Sequence, residues 1–519
     1  MSRTRKAVVA SSFTIIQIGL AAVSGFVLFP LIVHRLGPYN NGLWLATGEL
    51  VGYLGLSELG VFAVLPWLVS ACDGKGDHKG VAQYLSDAIG MGCFVGLMFL
   101  IASFLIWNAE PALLGIASQD FATIRTPLVT LLALTAASFP LRAFAGVLSG
   151  LQDFFFIGVL SIAQTGLTIV LTASLILADF GMLSLAVAAG APPILHGIAT
   201  AIRLHTTFPE VSKNCGRPRL TSCRSLLAAG VGAFLGGIGV RLLTATSGLV
   251  YASVGRPSWA TLYSATGKVA HVAQPICTVI PDSGLIGLSQ IAAGPDDDHA
   301  RRTALCIVLL HLLIPGFVAV GFLTANAWFI GAWLGDEYYA GNTVNVLIVA
   351  NLLIGSAVSG LFKVVAVVGH RVRIGAATVL HGALAATSGY LLTRQLGISG
   401  LPLAFVVTGI LFAVPFGLAS LRIIYQIGPR ELIIGPAGRW AMFTIPLLIV
   451  AAWLGTMLRE STLLVLASAT LLLLATYMMC ARQLIADMPW PEELRTWLTR
   501  MRLVSGMKKS TLRSPKCIK

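Results

Sequence analysis

A series of apolar stretches separated by short polar breaks constrains this chain more than any other feature. Crossing a bilayer as a helix takes about 20 mostly apolar residues. Windows of that kind fall over 8–30, 42–70, 82–107, 122–150, 155–178, 182–204, 225–252, 259–290, 303–330, 342–368, 373–393, 400–421, 440–457 and 461–481. The pattern predicts an all-α, polytopic membrane protein with about 14 transmembrane helices. Charged residues make up 11% of the chain, against about 25% in a soluble domain. The longest polar stretches are a loop near 205–224 and a C-terminal tail, neither long enough for a soluble domain. The N-terminus, 1-MSRTRKAVV, is basic and leads into an apolar run longer than a signal-peptide core, which reads as an uncleaved first helix.

Lys and Arg set the orientation. With the N-terminus inside, the inner segments carry 26 of them and the outer loops five: Arg35, Arg125, Arg256, Arg394 and Arg459. The positive-inside rule then makes both termini cytoplasmic. The net charge of +14 fits loops lying against anionic membrane lipid rather than a nucleic-acid partner. The eight Cys are scattered. Cys215 and Cys223 share a basic loop but lack the His or second Cys pair of a zinc pattern, so free thiols and no metal are expected. In the tail, Leu494, Trp497, Leu498 and Met501 recur at helical spacing within 491-PEELRTWLTRMRL-503. That stretch reads either as an interfacial amphipathic helix or as a partly disordered basic tail.

The chain repeats itself. The stretch 31-LIVHRLGPYNNGLW-44 closes the first window with Gly37, a Pro and an aromatic-bearing restart, and 254-VGRPSWATLYSATG-267 does the same with Gly255. Gly158 pairs in the same way with Gly375, and Gly181 with Gly397, at offsets within two residues of one another. Three ordered matches argue for duplication of a six-helix unit in parallel orientation. The expected organisation is an N-terminal six-helix lobe (1–210), a cytoplasmic basic linker (211–224), a C-terminal six-helix lobe (225–425), two appended helices (426–481) and a basic cytoplasmic tail (482–519). Two such lobes suit alternating access about a central cavity.

Charges inside spans cost roughly 2.5–3.5 kcal/mol each on insertion scales and usually face a cavity or a partner. Four basic residues lie there: Arg142, Arg241, Lys268 and Lys363. Arg241 sits mid-window among glycines. Subtracting the repeat offset sets Lys363 level with Gly146, one turn from Arg142. Each cation has two readings: a ligand for an anionic substrate, or a structural ion pair or snorkelling side chain. Glu49 and Glu58 both fall in the second window. About 100° per residue turns them to roughly opposite sides, one to pair with a base and the other to carry a coupling ion. Asp87 and Asp282, close to cytoplasmic ends, read as interfacial. His196, His271, His311 and His381 lack metal-ligand spacing and read as polar helix contacts.

These residues carry a family resemblance. The stretch 30-PLIVHRLGPYNNGLWLATGELVGYLGLSELGV-61 resembles the N-terminal signature of bacterial polysaccharide (oligosaccharide-lipid) flippases, within the multidrug/oligosaccharidyl-lipid/polysaccharide exporter superfamily. The matching residues are Pro30, Leu36-Gly37, Gly42 with Trp44, and Glu58-Leu59-Gly60. The stretch 261-TLYSATGKVAHVAQPI-276 also resembles that family's eighth helix. The resemblance implies a transporter of the bacterial cytoplasmic (inner) membrane, not an enzyme. It would move undecaprenyl-pyrophosphate-linked oligosaccharide outward for surface polysaccharide or lipopolysaccharide synthesis, alongside polysaccharide polymerase partners. It further implies a basic cavity, which Arg241, Lys268 and Lys363 fit by position, and coupling to a proton or sodium gradient rather than a bound cofactor. The first window lacks the acid often found there in the drug-exporting branch.

Three other readings remain open. A peptidoglycan-precursor flippase shares the plan. A cation-coupled multidrug or small-molecule exporter should show acids rather than bases in its cavity. A membrane transferase using a polyprenyl donor needs catalytic groups on sizeable outer loops, and the outer loops here are short.

Overall fold

The computed structural model describes residues 3–58, 60–107, 118–294, 296–488 and 490. The amphipathic stretch expected over 491–503 lies outside the described residues. Each of the fourteen apolar windows is mostly helical over its described residues. By length and composition ten helices could cross a membrane, or eleven if the bent pair Cys223–Gly232 and Phe234–Thr244 is one span. This count is below fourteen for a physical reason. Two pairs of windows run on as single elements, Ile16–Leu54 and Arg371–Tyr425, and two other windows are interrupted, at Ala245–Thr246 and at Gly267.

The helices group into two compact units, Met1–Leu262 with Thr378–Leu401, and Tyr263–Ala377 with Pro402–Lys519. The first unit holds α1 (Arg3–Leu54), α2 (Val61–Asp73), α3 (His78–Trp107), α4 (Ser118–Gly150), α5 (Phe154–Leu177) and α6 (Met182–Thr207). It continues through α7 (Pro209–Lys213), α8 (Leu220–Thr244), α9 (Ser247–Ser253) and the start of α10 (Pro257–Thr266). Helix α1 is two helical segments joined across a kink at the expected outer turn, where Gly37, at φ 76°, is non-helical. Only glycine takes that conformation at no steric cost, and Pro38 restarts the helix with φ already set.

The same turn recurs at Gly255, at φ 74°, ahead of Pro257. Gly181 and Gly397 also match, at φ 59° and 67°. Two of the three glycine pairs read from the sequence thus share a left-handed φ. In the first unit the two related turns touch. Thr261 Oγ1 donates to the Pro38 carbonyl at 2.7 Å, and Asn41 Nδ2 donates to Thr261 Oγ1 at 3.0 Å.

The second window is not one helix. It is α1 up to Leu54, a 3₁₀ turn over Gly55–Glu58, Gly60 at φ 73°, then α2. The helical-wheel relation expected between Glu49 and Glu58 therefore does not apply. Lipid tails are as apolar as a core, so helices here associate by close packing more than by leaving water. Accordingly Leu65 and Val69 of α2 lie against Gly146 and Gly150 of α4, where a Cβ would collide. Asp87, expected at the interface, is wholly buried. Its Oδ1 accepts the Arg219 backbone N–H at 2.7 Å and Gln83 Nε2 at 2.8 Å, tying the basic loop to α3.

The second unit holds the rest of α10, α11 (Lys268–Ile291), α12 (Asp297–Trp333) and α13 (Asn342–Val367). It also includes the first residues of α14 (Arg371–Leu396), α16 (Val414–Tyr425), α18 (Pro436–Met457) and α19 (Leu463–Asp487). Between α14 and α16 lies α15 (Gly400–Thr408), and α17 (Pro429–Ile434) precedes α18. Helix α12 is the most enclosed, packed by α11, α13, α18 and α19. Several of its buried polar contacts are made within the unit, as a lipid environment favours. Asn326 donates to Asn345 Oδ1 at 2.8 Å and to the Thr266 carbonyl at 2.9 Å, and Tyr477 donates to the Leu313 carbonyl at 2.7 Å. On the outer faces, large apolar side chains such as Phe104 and Leu464 stand exposed.

Candidate functional sites

The charges inside the helices form three clusters. In the first unit, helices α8 and α9 are separated by a two-residue interruption at Ala245 and Thr246. Two α1 side chains one turn apart satisfy it. The Glu49 carboxylate accepts the Leu249 N–H at 2.9 Å and the Ser247 hydroxyl at 3.2 Å. Thr246 Oγ1 spends its proton on the Leu242 carbonyl at 2.7 Å, so Tyr53, 2.5 Å away, donates to it. Backbone freed by a helix break must find partners in a membrane, and Glu49 and Tyr53 supply them.

Arg241 stands one turn before this break. Its guanidinium lies 5.6 Å from the centre of the Tyr53 ring and occupies the space a Cβ on Gly52 would take. It is half-buried, and its Nε is buried with no hydrogen-bond partner among the described residues. It makes no direct ion pair among them, and Glu49, hydrogen-bonded to the α9 end, acts on it only through space. It is thus a cation held in place by an aromatic face, with its donors unspent.

The second cluster joins Glu58 to Arg142. Arg142 Nη1 donates to Glu58 Oε2 at 2.7 Å, and the guanidinium lies over Phe139 at 4.7 Å. The 3₁₀ turn that breaks the second window aims Glu58 at α4. This is the structural ion pair foreseen as one of the two readings of Arg142.

The third cluster is in the second unit. Lys363 Nζ donates to Asp282 Oδ2 at 2.7 Å. Asp282, read from sequence as interfacial, also faces His311, whose Nε2 is 3.5 Å from Asp282 Oδ1. Lys268 opens α11 directly after the Gly267 interruption, half-buried, one turn before His271.

The structure therefore brings Glu49 to the Arg241 neighbourhood, Glu58 to Arg142, and Asp282 to Lys363. Arg241 and Arg142 belong to the first unit, Lys268 and Lys363 to the second. Sequence reasoning missed Tyr53, Thr246, Ser247 and the Asp282–His311 approach. These partners sit on separate helices, and no spacing in the chain ties them together. Among the described residues no group of three or more His, Cys, Asp or Glu is placed to hold a metal ion.

No protein-family model matches the chain, and no curated protein matches it. Solved structures do. One is a lipid II flippase, MurJ, in an inward closed conformation: 14% identical, covering 87% of this chain and 99% of that one, with a TM-score of 0.58. Another is an outward-facing multidrug resistance MATE family transporter of the MOP superfamily: 13% identical, covering 80% and 96%, with a TM-score of 0.54. A third is the Vibrio cholerae MATE transporter VcmN in its bent form: 16% identical, covering 83% and 99%, with a TM-score of 0.50. At such identities the likeness concerns the fold: this chain is a multi-pass, all-α membrane protein with the fold of the MOP-superfamily flippases and exporters.

Proposed function

We propose that this chain is a flippase for polyprenyl-pyrophosphate-linked oligosaccharide, moving it outward across the bacterial cytoplasmic membrane by alternating access. Both termini lie in the cytoplasm, and the lobes are those of the sequence duplication. The observation that carries the reading is Arg241, a cation in a membrane-spanning segment whose donors are not matched by an acid among the described residues. Placing such a charge in a membrane is costly unless it serves a ligand or partner. A fork of N–H donors suits a phosphate group. In this reading Arg241 is the phosphate ligand of the first unit, and Lys268 is a cation the second unit offers by itself. Arg142 and Lys363, each neutralised by a carboxylate, contribute once those pairs open. A guanidinium with no carboxylate in direct contact among the described residues disfavours a cationic drug as substrate.

A second reading, a peptidoglycan-precursor flippase, is supported by the likeness to the lipid II flippase. Both substrates present a pyrophosphate, so Arg241 serves either. Deleting the gene and profiling lipid-linked intermediates separates the readings. Accumulated polysaccharide precursor with reduced surface polysaccharide is expected. Accumulated lipid II selects the second reading, and no accumulation of either rules out both.

A further inference from the structure

His311 is wholly buried in α12, and its imidazole lies between two oxygen acceptors. Nδ1 is 2.9 Å from the Ile307 carbonyl, one turn earlier. A carbonyl accepts only, so Nδ1 carries the proton. A neutral imidazole has one N–H, which leaves Nε2 as a bare lone pair. That lone pair faces Asp282 Oδ1 at 3.5 Å. Neither atom has a hydrogen-bond partner among the described residues. Two lone pairs confront each other in a buried site, with one proton too few.

The surroundings hold the ring there. Gly360 of α13 packs against the imidazole, and a Cβ at that position would lie 2.8 Å from the ring. The other carboxylate oxygen is occupied by Lys363. Other ionisable groups on the packed elements are engaged elsewhere. Tyr425 donates to the Val364 carbonyl, Tyr477 to the Leu313 carbonyl, Arg439 to Asp487 and Arg301 to Glu431. Arg302, Arg422 and Arg482 lie near helix ends, and Cys306 sits more than one turn before His311. Lys268 and His271 are further along α11, about 16 Å or more from Asp282 at 1.5 Å per residue. Asp282 and Lys363 are each about one-third exposed, so a proton can reach the carboxylate while His311 stays sealed.

We propose that Asp282 and His311 form a proton-binding site in the second unit, and that the proton competes with Lys363 for the Asp282 carboxylate. A proton taken up between Oδ1 and Nε2 completes both hydrogen bonds of the imidazole, now a cation. It also gives the cluster a net positive charge, which weakens the hold of Asp282 on Lys363. The ammonium is then free for an anion. Use of this proton to drive transport rests on the flippase reading; the site itself does not.

The test uses full-length protein in lipid bilayers, with ¹⁵N-histidine followed by solid-state NMR from about pH 5 to about pH 8, spanning the ordinary histidine range. One histidine, identified by its loss in H311Q, should change from the singly to the doubly protonated ring as pH falls. D282N should abolish that change. K363Q should raise its midpoint by about 1–3 pH units, because a competing cation within hydrogen-bond distance has gone. A His311 signal that stays singly protonated throughout, or a midpoint unmoved by K363Q, overturns the proposal. Should D282N not fold, the partly exposed K363Q carries the same decision. If the site titrates while gene deletion accumulates no lipid-linked intermediate, the flippase reading fails and the proton site stands.

Discussion

Lys363 and Asp282 occupy the place that Gly146 and Leu65 occupy 217 residues earlier in the chain. The later pair is an ion pair of 2.7 Å, and the earlier one is a leucine side chain packed on a glycine. At the offset read from the sequence, the earlier contact is close apolar packing and the later one a partly exposed charge pair.

That relationship yields a stability test. D282N alone leaves Lys363 without its partner and should cost about 1–3 kcal/mol, less than a fully buried pair because both groups are partly exposed. The double variant D282L/K363G, which copies the first-copy pair, should recover most of that loss in thermal unfolding in detergent while failing to support transport. Equal destabilisation of single and double variants would mean the charges are structural.

Gly52 is the space into which the Arg241 guanidinium fits. G52A should displace that flexible end without unfolding the protein, since the group that must move is the tip of a long side chain. We expect G52A to lower transport roughly tenfold or more, as R241A does, the scale of losing a charged contact to substrate. Its melting temperature should stay near that of the wild type. Wild-type transport in G52A would remove Arg241 from the substrate path.

Glu49 closes the α8–α9 interruption, and its two possible roles separate by substitution. As a helix-end acceptor, E49A should destabilise by about 1–3 kcal/mol, the cost of leaving buried N–H groups unmet, while E49Q keeps an acceptor oxygen and most of the stability. As an ion carrier, E49Q would abolish transport in a fully stable protein. The hydrogen bonds to Ser247 and Leu249 favour the first outcome. Y53F should cost about 0.5–1.5 kcal/mol for the same interruption.

Glu58 and Arg142 are partly exposed, so each single neutralisation should cost no more than about 1 kcal/mol. If the pair opens during transport, E58Q should change the rate more than the stability. The swap E58R/R142E should restore stability to within about 0.5 kcal/mol of wild type.

The apolar windows, the two related glycine turns and the four in-span cations were legible in the sequence because each depends on local chemistry. Hydropathy over about 20 residues marks a span whatever surrounds it. Gly37-Pro38 and Gly255 with Pro257 carry their own backbone geometry. The sequence by itself determined an all-α polytopic chain, and it marked Arg241. Only the tertiary structure decided which cations are neutralised: Arg142 by Glu58, Lys363 by Asp282, Arg241 by no acid among the described residues. Those pairings join different helices, and the contacts of Glu58 and Glu49 turn on the 3₁₀ turn at Gly55–Glu58 and the interruption at 245–246. Neither break has a hydropathy signature, since a span remains equally apolar whether its backbone is continuous or interrupted. His311 is the clearest case. Its place between the Ile307 carbonyl and Asp282 exists only because α11, α12 and α13 meet there, with Gly360 leaving room for the ring.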